Sequence, residues 1–192
     1  MPASPPLILA SASPRRLELL KQLNVTPSRV VAPQVDETPR RGVLPKAYVE
    51  RLAKEKALQV AAQHPEAIIL AADTAVACGR RILPQAGDEK TAWACLKLLS
   101  GRRHRVYTAI HVVANGKHTS DCVMSVVMFA RLSEKDIADY IAGGEWQGKA
   151  GGYAIQGRAS AFIPWIRGSY SSIVGLPLHE TQQLLRQAGI IS

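Results

Sequence analysis

The feature that most constrains this chain is an apolar run from residue 67 to 77, interrupted only by Asp73 and Thr74. A short apolar run without helical period predicts a strand that is buried on both faces. A carboxylate in such a strand is unfavourable unless a cation, a metal or hydrogen bonds compensate it. Asp73 is therefore either a structural aspartate, which caps a neighbouring helix or ends the strand, or a functional group.

A second feature lies near the start of the chain, where a short strand leads into a helix. Residues 7–10 predict a buried strand, and Ser13-Pro14 is typical of an N-cap followed by the first helical position. The loop at 11–16 would offer free backbone N–H groups and the positive end of a helix dipole to an anion. Arg15 and Arg16 are unfavourable at such an end unless an anion is bound, which favours a functional role over a surface one.

The rest of the chain first alternates strands with helices and then forms a hairpin. Further strands are predicted at 29–33, 80–83, 104–113, 121–131 and 162–167, and helices at 45–63, 88–100, 133–143 and 177–187. This order predicts an α/β fold with a mixed sheet and flanking helices. Because the sequence has no internal repeat, low-complexity tract or convincing linker, we expect one domain over 1–192, with two lobes around a cleft left open.

Three more charged residues stand where chemistry could use them. Lys56 falls on the apolar stripe of the helix predicted from residue 45, so it must snorkel to an edge or meet an anion. Asp36 and Glu37 are adjacent acids in a predicted loop, where a solvated turn is the ordinary interpretation. Together with Asp73 they could bind a hard divalent cation that also contacts phosphate oxygens.

Composition narrows the class of partner. The net charge of +9 suits an anion, whether nucleotide, nucleic acid or membrane surface, while an aromatic content of 5% argues against stacking on single-stranded nucleic acid. Three widely spaced cysteines and five histidines show no metal-ligand spacing and fit a reducing compartment. No segment resembles a signal peptide or a membrane span, so we expect a cytoplasmic protein without a membrane partner.

Two stretches resemble known catalytic or phosphate-binding motifs but do not match them fully, so we assign them no function. Residues 143–150 approach a phosphate-binding P-loop, but they lack its final Ser or Thr and follow a predicted helix rather than a strand. Ser160 misses the G-x-S-x-G elbow of serine hydrolases, because residue 161 is alanine.

Several segments, in their order and spacing, resemble the Maf family of nucleotide pyrophosphatases. They are Leu9–Arg16, Val35–Glu37, Arg51–Ala57, Ala72–Thr74, Leu98–Gly101, Val106–Thr108, Lys149–Gly157, Gly168–Tyr170 and Val174–Leu178. The resemblance implies a mixed, strongly twisted sheet with a deep cleft, as in Maf and inosine-triphosphatase-like proteins. It also implies a homodimer that cleaves nucleoside triphosphates between the α and β phosphates, with a divalent cation (Mg, Mn or Co).

The resemblance also implies roles for individual residues. Asp73 matches the proposed general base, with Lys56 and Glu37 beside it in the catalytic set, and Asp36, Glu37 and Asp73 are the implied metal ligands. The implied phosphate- and substrate-binding positions are Ser11, Ser13, Arg15, Arg16, Thr74, Gln85 and Gln156. Arg16, Thr74 and Gln156 match positions linked to substrate choice, and Arg16 with Gln156 is similar to the branch acting on dTTP and UTP rather than on 7-methyl-GTP.

One position departs from the family pattern. Gln85 stands where the family often has lysine, in Gly-Lys-Pro before a helix. A neutral amide cannot replace a charge against phosphate, and losing one charge-assisted contact costs about 1.5–3 kcal/mol. Two other functions stay open at this point. A nucleotide-binding regulator of septum formation would hydrolyse little, and a general nucleic-acid binder would rest on net charge alone.

Overall fold

One seven-stranded sheet organises residues 5–191, the part of the chain that the computed structural model describes. The strands are β1 (Leu7–Ala10), β2 (Arg29–Val31), β3 (Ile68–Cys78), β4 (Arg81–Ile82), β5 (Arg103–Ala114), β6 (Lys117–Met128) and β7 (Trp165–Arg167). The helices are α1 (Pro14–Lys21), α2 (Pro45–Ala61), α3 (Glu89–Leu99), α4 (Glu134–Ala142), α5 (Tyr170–Val174) and α6 (Leu178–Gln187), and Arg158–Phe162 forms a 3₁₀ turn.

The strand order is β2-β1-β3-β5-β6-β7, with β4 attached to β3. Strand β1 is parallel to both β2 and β3, whereas β3, β5, β6 and β7 pair antiparallel. The predicted mixed α/β sheet is therefore confirmed. The apolar run is its central strand, because helices cover both faces and β3 is buried almost throughout.

Helices on opposite faces of the sheet close separate parts of the core. Helix α2 packs on β3 and β5 through Val49, Leu52 and Ala57. Helices α3 and α4 bury a cluster around Phe129 and Tyr140 against the other face. Within the described residues, no helix is long and apolar enough to cross a membrane.

A gap beside β3 decides where a ligand can enter. On the side of β3 away from β5, β1 pairs only as far as Ala71, and β4 begins its pairing at Ala77. Within residues 5–191, no strand pairs with this edge of β3 between those points. Side chains from both faces of β3 can therefore reach one opening, and Asp73 and Thr74 are neighbours in that stretch.

The main differences from the sequence prediction lie in β6, β7 and helix α5. Strand β6 begins at Lys117, earlier than predicted, because the Asn115-Gly116 turn has the left-handed backbone that starts a tight hairpin (φ 51° and 73°). Polar residues are tolerated there since this part of β6 is mostly exposed. The predicted strand at 162–167 is reduced to Trp165–Arg167, and helix α5, which the pattern did not predict, follows it.

Candidate active site

A cavity of about 360 Å³ opens beside the unpaired edge of β3. The loop after β1, helix α2, strand β3, the segment 148–156 and helix α5 line it together. The sequence-predicted site residues that line it are Ser11, Ser13, Arg15, Arg16, Glu37, Lys56, Asp73, Thr74, Gln85 and Gln156. An adjoining cavity of about 350 Å³ shares Glu37, Asp73, Thr74 and Gln85 with it.

Lys56 holds the two acids of the cleft together. Its Nζ lies 2.6 Å from Asp73 Oδ1 and 2.6 Å from Glu37 Oε1. The side chains of Lys56 and Asp73 are only 9% and 6% exposed, whereas that of Glu37 is 42% exposed. Lys56 therefore meets anions rather than snorkelling to the surface, and Asp73 neither caps a helix nor ends its strand.

Burial changes the acidity of Asp73. Loss of solvent raises the pKa of this carboxyl group above its ordinary value, although the nearby charges of Lys56 and Arg16 act in the opposite direction. A buried carboxylate with a raised pKa is a stronger base than one in water.

Asp36 and Glu37 point in different directions. Half-buried and exposed residues alternate along this loop. Glu37 therefore lines the cavity, while the carboxylate of Asp36 stays at the surface and accepts the Thr38 N–H at 2.9 Å. Hydrogen bonds from Thr38 hold the pKa of Asp36 below its ordinary value. Among the described residues, no three Asp, Glu, His or Cys side chains form a group that could hold a metal ion. The structure thus joins Glu37 to Asp73 and does not bring Asp36 to them.

The start of α1 is open toward the cavity. Ser13 occupies the N-cap and Pro14 opens the helix as predicted, but the Ser13 side chain makes no capping hydrogen bond. Its backbone N–H instead donates to Ser11 Oγ at 3.1 Å. A helix N-terminus without a side-chain cap is available to an anion, and Arg15, half-buried beside it, adds a full positive charge.

Arg16 is built into the wall of the cleft. Its guanidinium donates from Nε to Gly175 O at 2.8 Å, from Nη1 to Ser11 Oγ at 3.0 Å and from Nη2 to Thr74 Oγ1 at 3.2 Å. The side chain is buried, and loss of solvent lowers the pKa of Arg16. Arg16 therefore fixes the relative positions of the loop after β1, strand β3 and the end of α5.

Lys149 is a cleft residue to which the sequence pattern assigned no role. Its segment lies against that of Gln85, because Ala86 N–H donates to Lys149 O at 3.1 Å and Gln85 forms an antiparallel bridge with Ala150. Burial and the nearby charge of Arg15 lower the pKa of Lys149. The Gly-Lys of the discounted P-loop-like stretch was the signal that could have indicated this residue.

A mixed α/β sheet whose open edge brings two acids and several cations to one cleft defines a class of protein that acts on polyanions. This chain belongs to the Maf family, since the model of that family, described as Maf-like protein, matches residues 6–188.

Curated relatives extend over nearly the whole chain. The "dTTP/UTP pyrophosphatase" of Rhodospirillum rubrum is 56% identical over 188 residues, covering 97% of this chain and 90% of the relative. That of Zymomonas mobilis is 58% identical over 184 residues, covering 95% and 91%. The "Nucleoside triphosphate pyrophosphatase" of Anaplasma phagocytophilum is 54% identical over 180 residues, covering 93% of each chain.

Proposed function

We propose that this chain is a nucleoside triphosphate pyrophosphatase that hydrolyses dTTP and UTP to the monophosphate and pyrophosphate. The observation that carries the proposal is the ion-paired group of Asp73, Lys56 and Glu37, in which Asp73 and Lys56 are buried. This group lines the same cavity as Arg15 and the open start of α1. The names of relatives at 54–58% identity support the same activity.

The arrangement supports an attack by water on the α-phosphorus. Asp73 orients the water and takes its proton, and burial suits it to this task because it raises the pKa of the carboxyl group. The water oxygen bonds to phosphorus as the bond to the bridging oxygen breaks, and pyrophosphate leaves with the developing charge. Arg15, Lys56 and the N–H groups at the start of α1 offset that charge.

Glu37 and Asp73 also fit a divalent cation. Both carboxylate oxygens lie 2.6 Å from the same Lys56 Nζ, so they can be no farther apart than the sum of those distances. One or two carboxylates, completed by substrate phosphates and water, are a usual ligand set for Mg²⁺. An ion of Mg, Mn or Co held there would offset charge on the phosphate oxygens. Asp36 would not take part, because its carboxylate is hydrogen-bonded to Thr38 at the surface.

Lys149 offers a charge that Gln85 lacks. We place both residues on the phosphate side of the cleft, because they line the cavity on adjacent segments and Arg15 lies near Lys149. Burial lowers the pKa of Arg15, and burial and the charge of Arg15 lower the pKa of Lys149, so an anion between them would stabilise both cations. Lys149 thereby offsets the missing lysine at position 85.

The side chain of Gln156 suits recognition of the nucleobase. Its side chain is exposed and lines the cavity, and an amide both donates and accepts hydrogen bonds, as the edge of thymine or uracil requires. The likeness of Arg16 and Gln156 to the dTTP/UTP branch supports the same substrates. A homodimer remains part of the proposal on the family resemblance, and a cytoplasmic location remains part of it on the sequence features given above.

The decisive test replaces the proposed general base, Asp73. Asp73→Asn keeps the shape of the side chain, and we expect pyrophosphate release from dTTP and UTP with Mg²⁺ or Mn²⁺ to fall at least about 10²-fold, the usual contribution of a general base. Asp36→Asn is the matched control and should retain most activity. Near-normal turnover by Asp73→Asn would disprove the assignment of the base. Binding of nucleotide by the parent protein without turnover would favour the regulator of septum formation instead.

A further inference from the structure

A chain of hydroxyl groups runs from the cleft into the core. Arg16 Nη2 lies 3.2 Å from Thr74 Oγ1, which lies 3.0 Å from Thr108 Oγ1, and Thr108 Oγ1 lies 2.8 Å from Ser172 O. Thr108 and Ser172 are fully buried, while Thr74 is half-buried and lines both cavities. Thr108 itself lines neither cavity.

Counting protons fixes the direction of each of these three hydrogen bonds. A carbonyl oxygen can only accept, so the single hydroxyl proton of Thr108 goes to Ser172 O. The bond between the two threonines must then be donated by Thr74. A guanidinium can only donate, so Thr74 also accepts from Arg16. Thr74 has no proton left, and one lone pair remains for the cleft.

The carbonyl of Ser172 needs this donor because of the way α5 ends. A continued helix would bring Leu176 N–H to Ser172 O, but Leu176 N–H donates to Ser171 O at 3.0 Å. Helix α5 ends instead at Val174. It is followed by Gly175, whose φ is 136° and whose carbonyl accepts from Arg16. A buried carbonyl without a donor is costly, so Thr108 has little freedom to turn its proton toward Thr74.

We infer that Thr108 makes Thr74 an obligatory hydrogen-bond acceptor at the nucleoside end of the cleft, and so selects bases with an imide N–H. Phosphate oxygens only accept and gain nothing from this position, which places the triphosphate at Arg15 and the start of α1. Sugar hydroxyls both donate and accept, so a fixed acceptor does not discriminate among them. Uracil and thymine carry a donor at N3, where cytosine carries an acceptor.

Thr108 is thus a positioning residue that acts through Thr74. The inference rests on the proposed function for its substrates, but it can be tested by binding alone. The probes are the non-hydrolysable α,β-imido analogues of UTP and CTP, whose dissociation constants can be measured even if the protein releases no pyrophosphate. Failure of the proposed function and failure of the inference are therefore separate outcomes.

The test compares Thr108→Val with Thr108→Ser. Valine keeps the shape and removes the acceptor, so the Thr74 hydroxyl becomes free to donate to cytosine N3. We expect the preference for the UTP analogue over the CTP analogue to fall about tenfold, the factor for roughly 1.4 kcal/mol. Thr108→Ser keeps the hydroxyl and should retain the preference of the parent.

Two further variants keep the inference falsifiable. If Thr108→Val does not fold, Thr108→Cys, whose thiol is a weak partner, should lower the preference in the same direction. In Thr74→Val the acceptor itself is gone, so adding Thr108→Val should change the preference no further. An unchanged UTP preference in Thr108→Val or Thr108→Cys overturns the inference, as does an equal loss in Thr108→Ser.

Discussion

At the scale of single residues, the site depends on which charges are buried together. Asp73 and Lys56 lie 17 positions apart in the sequence and are both nearly inaccessible to water. Removing Lys56 would leave the buried charge of Asp73 without its ion pair, and breaking a buried pair in this way costs about 3–5 kcal/mol. The acids and the lysine therefore form one unit, and substitutions in it will affect folding as well as rate.

Lys149 provides a residue-scale prediction. Lys149→Met removes the charge and keeps most of the chain length, so we expect KM for UTP to rise about tenfold, as for one lost charge-assisted hydrogen bond. Adding Gln85→Lys to this variant should recover part of the loss, because it returns a cation to the adjacent segment. Steady-state kinetics of pyrophosphate release measures both effects. An unchanged KM in Lys149→Met would show that Lys149 does not contact phosphate.

At the scale of elements, the cleft exists because neighbouring strands have different lengths. Strand β1 stops at Ala10, and the chain turns there into the anion-binding loop and α1. Strand β3 continues past it, so that Asp73 on one face and Thr74 on the other both border the opening. The segment 148–152 closes the far side by lying against β3 and α3.

That segment supports an element-scale prediction. A Cβ added at Gly151, where φ is 68°, would lie 2.9 Å from Val76 Cγ1. Gly79, in the turn between β3 and β4, has a similar φ of 62° but nothing within 4 Å. Both alanine variants bear the backbone strain, and Gly151→Ala adds overpacking, so we expect it to lose a further 1–3 kcal/mol, roughly, in the free energy of unfolding. Urea denaturation measures the difference, and equal losses would contradict the packing argument.

At the scale of the whole molecule, the chain carries a net charge of +9, but only the cations that the fold brings to the cleft can contact a bound anion. The same fold buries a neutral histidine, His104, whose Nε2 lies 2.7 Å from the Tyr153 hydroxyl behind the cavity wall. Burial lowers the pKa of His104 from 6.5 to about 4. Unfolding releases that histidine to water, where it binds a proton more readily.

The stability of the whole chain should therefore depend on pH in a definite direction. Since the unfolded state binds more protons, the contribution of His104 is fully present above pH 6.5 and is lost as the pH falls toward 4. The loss amounts to at most roughly 3 kcal/mol over that range. His104→Gln, which does not titrate, should show a flatter dependence of the free energy of unfolding on pH. An identical pH dependence in parent and variant would contradict a neutral buried His104.

The sequence by itself predicted most local structure and most of the residues that line the cleft. Apolar period and cap residues predicted β1, α1, α2 and β3, because hydrogen bonding and burial within an element depend on residues close in sequence. The position of Asp73 in an apolar strand and of Arg15 at a helix start already indicated an anion site. The resemblance to the Maf family supplied the remaining cleft residues.

Only the tertiary structure decided which side chains meet and which group donates in each hydrogen bond between them. It turned Asp36 outward and Glu37 inward, and brought Lys149 beside Gln85. It also joined Arg16 to Gly175, 159 positions away. The same contacts direct the hydroxyl proton of Thr74 toward Thr108 Oγ1. These outcomes depend on contacts between distant segments, and hydrogen-bond direction depends on every partner in a chain of bonds, so no local pattern of residues encodes them.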